Sequence, residues 1–242
     1  MGRQRKLPLP HLSGPKAAGQ SRDVYIYSDS TQLFLSALLP PEDPESRFGV
    51  RRATEAGLAM SLEFVQDDSF VARFRLGNAT TQEEDEWVGR AVGRLNLVDG
   101  RLCCNGVIMR MPPGEYLAEV SCYLPNATGW WCLERAGKRR KEPCATYWRR
   151  TRPGQPMPGW LAWACRDRPT ADPGHEHEWE TSDAPEPGEA DYVEIVVRLM
   201  TAPRARLALS RPRRDGWLPW TCRRPQVCPQ GLRAIRVRDA GL

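Results

Sequence analysis

Three groups of side chains in this chain have types and spacings that could do chemistry. His175-Glu176-His177-Glu178 is the one dense cluster of metal-capable residues. In a strand, His175 and His177 would share a face and could chelate one ion. No third ligand stands at a matching spacing and the flanks read as loop, so the favoured reading is a solvated acidic loop without a metal. The eight cysteines, Cys103, Cys104, Cys122, Cys132, Cys144, Cys165, Cys222 and Cys228, contain no Cys-x-x-Cys pair. Zinc would need four ligands gathered from scattered positions. In a reducing compartment these residues read as free structural thiols, several of them buried as small hydrophobes.

The third group is aromatic and cationic. Trp130, Trp131, Tyr147, Trp148, Arg149, Arg150, Trp160 and Trp163 fall in one stretch. Large apolar rings beside planar cations are the composition of protein-binding hot spots. The competing reading is a satellite core that pins an excursion of the chain. Arg204, Arg206, Arg211, Arg213, Arg214, Arg223 and Arg224 run through the tail and would suit phosphates or an acidic partner.

Covalent catalysis has little to work with. A nucleophile needs a base beside it, and the histidines are His11, His175 and His177. There is no Gly-x-Ser-x-Gly, phosphate loop or dinucleotide fingerprint. The chain therefore reads as a non-enzyme that uses no cofactor.

The elements that must carry these groups read mainly as strands. The chain has 242 residues, 40% apolar and 27% charged, with a net charge of +5. That is enough for one large core, and the basic bias is milder than that of a dedicated nucleic-acid binder. No apolar run is long enough to span a membrane. Residues 1–21 read as a flexible basic lead-in without the apolar core of a signal peptide, so the cytoplasm is the expected compartment.

Apolar residues alternate over 58–65, 70–76, 91–97 and 116–124, and again over 192–200. Period two means one buried face and one mostly wet face. Short links between these segments predict an antiparallel sheet of strands close in sequence. Val24 to Leu35 reads as a first strand or hairpin, and 40–57 as a loop. Asp99-Gly100 is a hairpin signal, with Leu102 to Val107 as the return strand. Thr80 and Glu83 have capping-box spacing, so 81–89 is either a short helical turn or a polar loop.

Seven or so short strands in one flat sheet would leave apolar area uncovered. The expected fold is therefore mainly β, an antiparallel β-sandwich or partly open barrel. It occupies residues 22–200, with a loop-rich, irregular Trp-rich insertion at 126–190. An Arg-rich extension, 201–242, packs on it.

Over about residues 22–125, and into 192–200, the order of features resembles the ComJ family, competence-associated inhibitors of a DNA-entry nuclease. The resemblance is carried by Phe74-Arg75-Leu76 and Pro113-Gly114-Glu115-Tyr116 within the run of strands. It implies a β-sandwich that holds a partner protein inactive. The 126–190 stretch and the tail have no counterpart in that family, and no inhibitory residue carries over by position. Function expectations follow in three classes. The first is a protein-binding module, an inhibitor or immunity-type regulator of a nuclease or toxin. The second is a nucleic-acid accessory protein using the tail arginines and the Trp/Arg segment. The third is a metal-assisted hydrolase at His175 and His177.

Overall fold

A computed structural model describes residues 11–27, 31–37, 47–65, 69–125, 127–136, 142–161, 192–201, 208–235 and 238–239. Among these, the smaller sheet holds β1 (His11–Ser13), β3 (Gln32–Ser36), β4 (Ala59–Glu63), β7 (Arg101–Cys104) and β8 (Val107–Arg110), in the order β1-β8-β7-β3-β4. The larger holds β2 (Ser21–Ile26), β5 (Phe70–Leu76), β6 (Gly89–Leu97), β9 (Gly114–Cys122) and β11 (Ile195–Thr201). Short strands β12 (Thr221–Cys222) and β14 (Arg238–Asp239) edge it, giving β12-β6-β9-β11-β5-β2-β14, and β10 (Tyr192–Val193) pairs antiparallel with β13 (Leu232–Arg233) in a separate two-stranded ladder. Alternation explains the core between the sheets. Phe70, Ala72 and Phe74 of β5, Ala118 and Val120 of β9, and Ile195 and Val197 of β11 share one core with Leu33, Leu35, Met60, Leu62 and Met109. The expected two-sheet arrangement is present, and the described strands close no barrel.

The connectivity differs from the expected meander. The ladders are mixed: β11 runs antiparallel to β9 but parallel to β5, and β1 and β14 also pair in parallel. The four strands that opened the alternation are split between the sheets, β4 going to one and β5, β6 and β9 to the other. Asp99-Gly100 does not close a hairpin but turns the chain from β6 into the opposite sheet. Gly100 has φ 68°, and a Cβ there would collide with the Met111 carbonyl oxygen. The hairpin lies at Asn105-Gly106, inside the expected return strand, with φ 42° and 87° joining β7 to β8. Positive φ at both central residues is the twist-matched turn that Asn-Gly favours. The expected loop at 40–57 includes helix α1 (Arg47–Glu55), which packs on β4.

Residues 81–86 form helix α2 (Thr81–Glu86), so the helical alternative holds. Thr80 Oγ1 accepts from Glu83 N at 3.1 Å, and Thr80 N donates to Glu83 Oε2 at 2.8 Å. That reciprocal pair satisfies two orphan donors of the first turn.

Helix α2 lies over the face of the larger sheet that alternation marks as wet. Every residue of β5 is buried, with Val71 packed against Trp87, Val193 and Leu232 and Arg73 also bonded to Arg233 O. Buried charges are tolerated only when paired, and here they are. Arg73 makes a bidentate pair with Asp23 at 2.7 and 2.8 Å, and Arg75 meets Glu83 at 3.0 Å. Arg198 bonds Glu119 at 2.7 Å and Glu84 at 3.1 Å, and Arg90 bonds Glu84 at 2.8 Å. Burial works against the Arg73 cation, but Asp23 and Glu83 outweigh it and raise its pKa. Burial likewise opposes the Glu84 carboxylate, but Arg90, Arg198 and Arg223 hold its pKa below the usual carboxylate range. The far end of α2 is clamped by Arg223, which donates to Trp87 O at 2.8 Å and to Glu84 O. Those carbonyls would otherwise be left without helical donors. The Trp87 ring sits between Arg223 at 3.7 Å and Arg90 at 4.1 Å.

Candidate partner-binding surface

The Trp-rich stretch is more regular than its prolines suggest. It carries two helices, α3 (Ala127–Ala136) and α4 (Cys144–Thr151), and a helical turn over 159–161. Prolines 153, 156 and 158 fall after α4, where they end it without interrupting it. Helix α3 packs against β6 and β12. It comes in close because Gly129 has no side chain: a Cβ there would collide with the Tyr123 carbonyl oxygen. Thr128 Oγ1 accepts from Val65 N at 3.0 Å, which ties the first turn to the end of β4.

Spacing decides which rings go inside. Trp130 and Leu133 lie three apart on α3, and Cys144, Tyr147 and Trp148 have three-and-four spacing on α4. These residues share one helix face in each case, and all of them are buried. Trp130 meets Trp160 edge-on, with centroids 5.8 Å apart. Tyr147 Oη donates to Pro225 O at 2.5 Å, and Trp148 Nε1 donates to Gln155 O at 3.2 Å. Burial pushes the Tyr147 hydroxyl well above its ordinary range, so it stays a donor. Arg152 Nε donates to Cys228 O at 2.6 Å, and Cys228 N donates to Thr151 Oγ1 at 3.0 Å. The tail over 225–230 is thereby stitched to α4.

What remains outside is a smaller set. Trp131 is half-buried, with the Arg135 guanidinium 4.4 Å over its ring one turn on. Trp160 is half-buried and donates through Nε1 to Gln230 O at 3.0 Å. Arg149 and Arg150 are exposed on α4, and Arg150 makes a bidentate pair with Glu142 at 2.7 and 2.9 Å. Of the eight residues expected to form a binding surface, Trp130, Tyr147 and Trp148 are interior packing. Trp131, Arg149, Arg150 and Trp160 reach the surface, and Trp163 lies outside the described residues.

The tail arginines divide too. Arg211, Arg213 and Arg214 are exposed, with Arg213 3.3 Å from Glu63. Arg223 is the α2 clamp. Arg224 bonds Glu142 at 2.9 Å and lies 4.2 Å over the Tyr147 ring. Arg204 and Arg206, like His175 and His177, lie outside the described residues. Among the described residues, no group of three or more His, Cys, Asp or Glu could hold a metal ion, and no helix is long and apolar enough to cross a membrane.

Sequence reasoning missed the buried ion network entirely. Its only sequence trace is Arg and Glu at alternate strand positions, which look the same whether water or a helix covers them.

No family model matches the chain, and no curated protein matches it. Among solved structures it is similar to a protein named "Crocagin biosynthetic gene J", at 14% identity and a TM-score of 0.41, over 76% of this chain and 97% of that one. It is also similar to ComJ, inhibitor of the DNA degrading activity of NucA, from Bacillus subtilis, at 13% identity and a TM-score of 0.33, over 45% of this chain and 85% of that one. The ComJ likeness read from sequence is thus present as a weak structural resemblance, and it carries no functional argument.

Proposed function

We propose that this protein is a non-enzymatic binding module. Its partner, another protein, seats on the outer side of the α3–α4 layer at Trp131 and Trp160, with Arg149 and Arg150 at the rim. One observation supports this above others. Two half-buried indoles stand on a helical layer whose remaining rings are locked by Tyr147–Pro225 and Trp148–Gln155 hydrogen bonds. Rigid aromatic anchors lose little entropy when a partner covers them. The finer reading, an inhibitor or immunity-type regulator of a nuclease or toxin, rests on the order of features shared with the ComJ family. The residues carrying that order serve the scaffold: Phe74 and Leu76 lie in the core, and Tyr116 Oη donates to Pro112 O at 2.7 Å. They support a common frame and leave the choice of partner to the surface. A reducing cytoplasm suits the free thiols.

A photo-crosslinking residue placed at 131 or 149 in the native cell identifies the partner, and titration of the purified pair tests the site. Trp131→Ala and Trp160→Ala are each expected to weaken binding by about tenfold, as hot-spot residues do. The triple variant Arg211→Ala, Arg213→Ala, Arg214→Ala is expected to bind as the parent does. Unchanged affinity in both Trp variants, with folding verified by circular dichroism, would sink the site. Salt-sensitive DNA or RNA binding that the triple variant abolishes would instead establish the nucleic-acid reading.

A further inference from the structure

We propose that Cys132 is the shared sulfur of a thiol relay, able to form one disulfide with Cys222 near the surface and another with Cys122 in the core. The inference is independent of the partner-binding reading and rests on strand register.

Cys222 of β12 stands directly opposite Gly89 of β6, and Gly89 stands directly opposite Cys122 of β9. Residues directly opposite across a ladder project from the same face, so the two thiols flank a position that has no side chain. Cys132 of α3 fills that gap from above. A Cβ on Gly89 would lie 2.5 Å from Cys132 Sγ and 2.6 Å from Cys122 Sγ. Cys122 Sγ and Cys132 Sγ are 3.8 Å apart, and α3 packs against β12, the strand that carries Cys222. Cys122 and Cys132 are fully buried, whereas Cys222 is half-buried. A disulfide bond is about 2.0 Å long, so the inner pair, 3.8 Å apart, must close further for its bridge to form.

The chemistry balances with a peroxide as oxidant. The Cys222 sulfur attacks one peroxide oxygen, the O–O bond breaks, and Cys222 becomes a sulfenic acid as one water leaves. The Cys132 sulfur then displaces the hydroxyl as a second water, and the S–S bond forms. Two thiols have lost two electrons and two protons, and the peroxide has taken up both. Cys122 next attacks the Cys132 sulfur and Cys222 departs, accepting the proton that Cys122 gives up. This exchange is redox-neutral. It moves the bridge inward and restores the outer thiol. Contact with Cys122 raises the Cys132 pKa while contact with Cys222 lowers it; contact with Cys132 raises that of Cys222; burial adds to both, and Arg135 opposes it. In its outer form the relay fastens α3 covalently to β12.

The test is peptide mapping of the full-length protein, alkylated and digested without reductant after timed exposure to hydrogen peroxide. A Cys132–Cys222 bridge is expected first, then a growing Cys122–Cys132 bridge, both removed by dithiothreitol. Cys222→Ser should form the inner bridge alone, and about tenfold more slowly, because the accessible thiol is gone. Cys132→Ser should form neither bridge and should leave a Cys222 sulfenic acid trapped by dimedone. If Cys132→Ser does not fold, the parent and Cys222→Ser decide the matter. Bridges that omit Cys132, or singly over-oxidised cysteines with no bridge, would overturn the proposal. So would an outer bridge that never transfers inward.

Discussion

Two helical covers sit on one sandwich and are held by opposite means. Helix α2 lies on the larger sheet over charged side chains, each given a partner of opposite sign. Helix α3 lies beside β6 and β12, and helix α4 against the tail over 225–230, both over rings and aliphatic groups. The charged cover is exacting, because removing one member strands the other in a place without water. In the aromatic layer a lost ring costs contact area and leaves a cavity, but no desolvated charge remains behind. The same contrast sorts the exposed groups. Charges under α2 are spent on one another, while rings at the edge of the aromatic layer keep a free side.

Substitutions can break this contrast in order of expected size. Asp23→Ala removes the bidentate partner of Arg73 and should cost about 3–5 kcal/mol, read as a lowered urea midpoint. Adding Arg73→Met should return part of that loss, since the stranded cation is gone. A double variant no more stable than Asp23→Ala would mean that the pair is not what the cover depends on. Gly129→Ala should cost about 1–3 kcal/mol, because α3 must back away from the Tyr123 carbonyl. The accompanying loosening of α3 should show as a red shift in the tryptophan fluorescence of the protein.

Tyr147→Phe keeps the ring and drops one hydrogen bond to the tail. A loss of about 1 kcal/mol is expected in thermal unfolding. A much larger loss would move α4 into the charge-held class. The smallest effect concerns pH. Glu84 has a depressed pKa, so its contribution is present above its unfolded value and is lost as pH falls through the lower folded value. Its side chain is 41% exposed, so screening limits the term to about 1 kcal/mol or less. The stability gap between the parent and Glu84→Gln should therefore shrink as pH drops from about 7 to about 3. A gap that is constant with pH would remove the charge argument at that position.

How much of this was legible in the sequence depended on the range of the information. Alternation over 70–76 and 116–124 located strands, because period two is local. It said which face is apolar but named no neighbour, so Asp99-Gly100 read as a hairpin when the chain was crossing to the other sheet. Thr80 and Glu83 made a helix one of two readings for 81–89, because a capping box spans only four residues. Arg73, Arg75 and Arg198 read as solvent-facing because their partners, Asp23 and Glu83 for the first two and Glu84 and Glu119 for Arg198, reach them only through the fold. Cys144, Tyr147 and Trp148 had helical spacing in plain view, but the prolines that follow drew the stretch toward an irregular reading. The relation of Cys122, Cys132 and Cys222 is invisible without the register of three strands and a glycine between them.

Strand β11 lies between β9 and β5, at the centre of the larger sheet. Its position has a consequence for how the protein is made. A ribosome delivers β5 and β9 early, with the slot between them empty, and supplies Ile195–Thr201 only after α3 and α4 have emerged. The midline of the sheet is thus the last of its long strands to arrive. Until then the nascent chain exposes two strand edges to every neighbour in the cell, and the larger sheet cannot close before β11 is made.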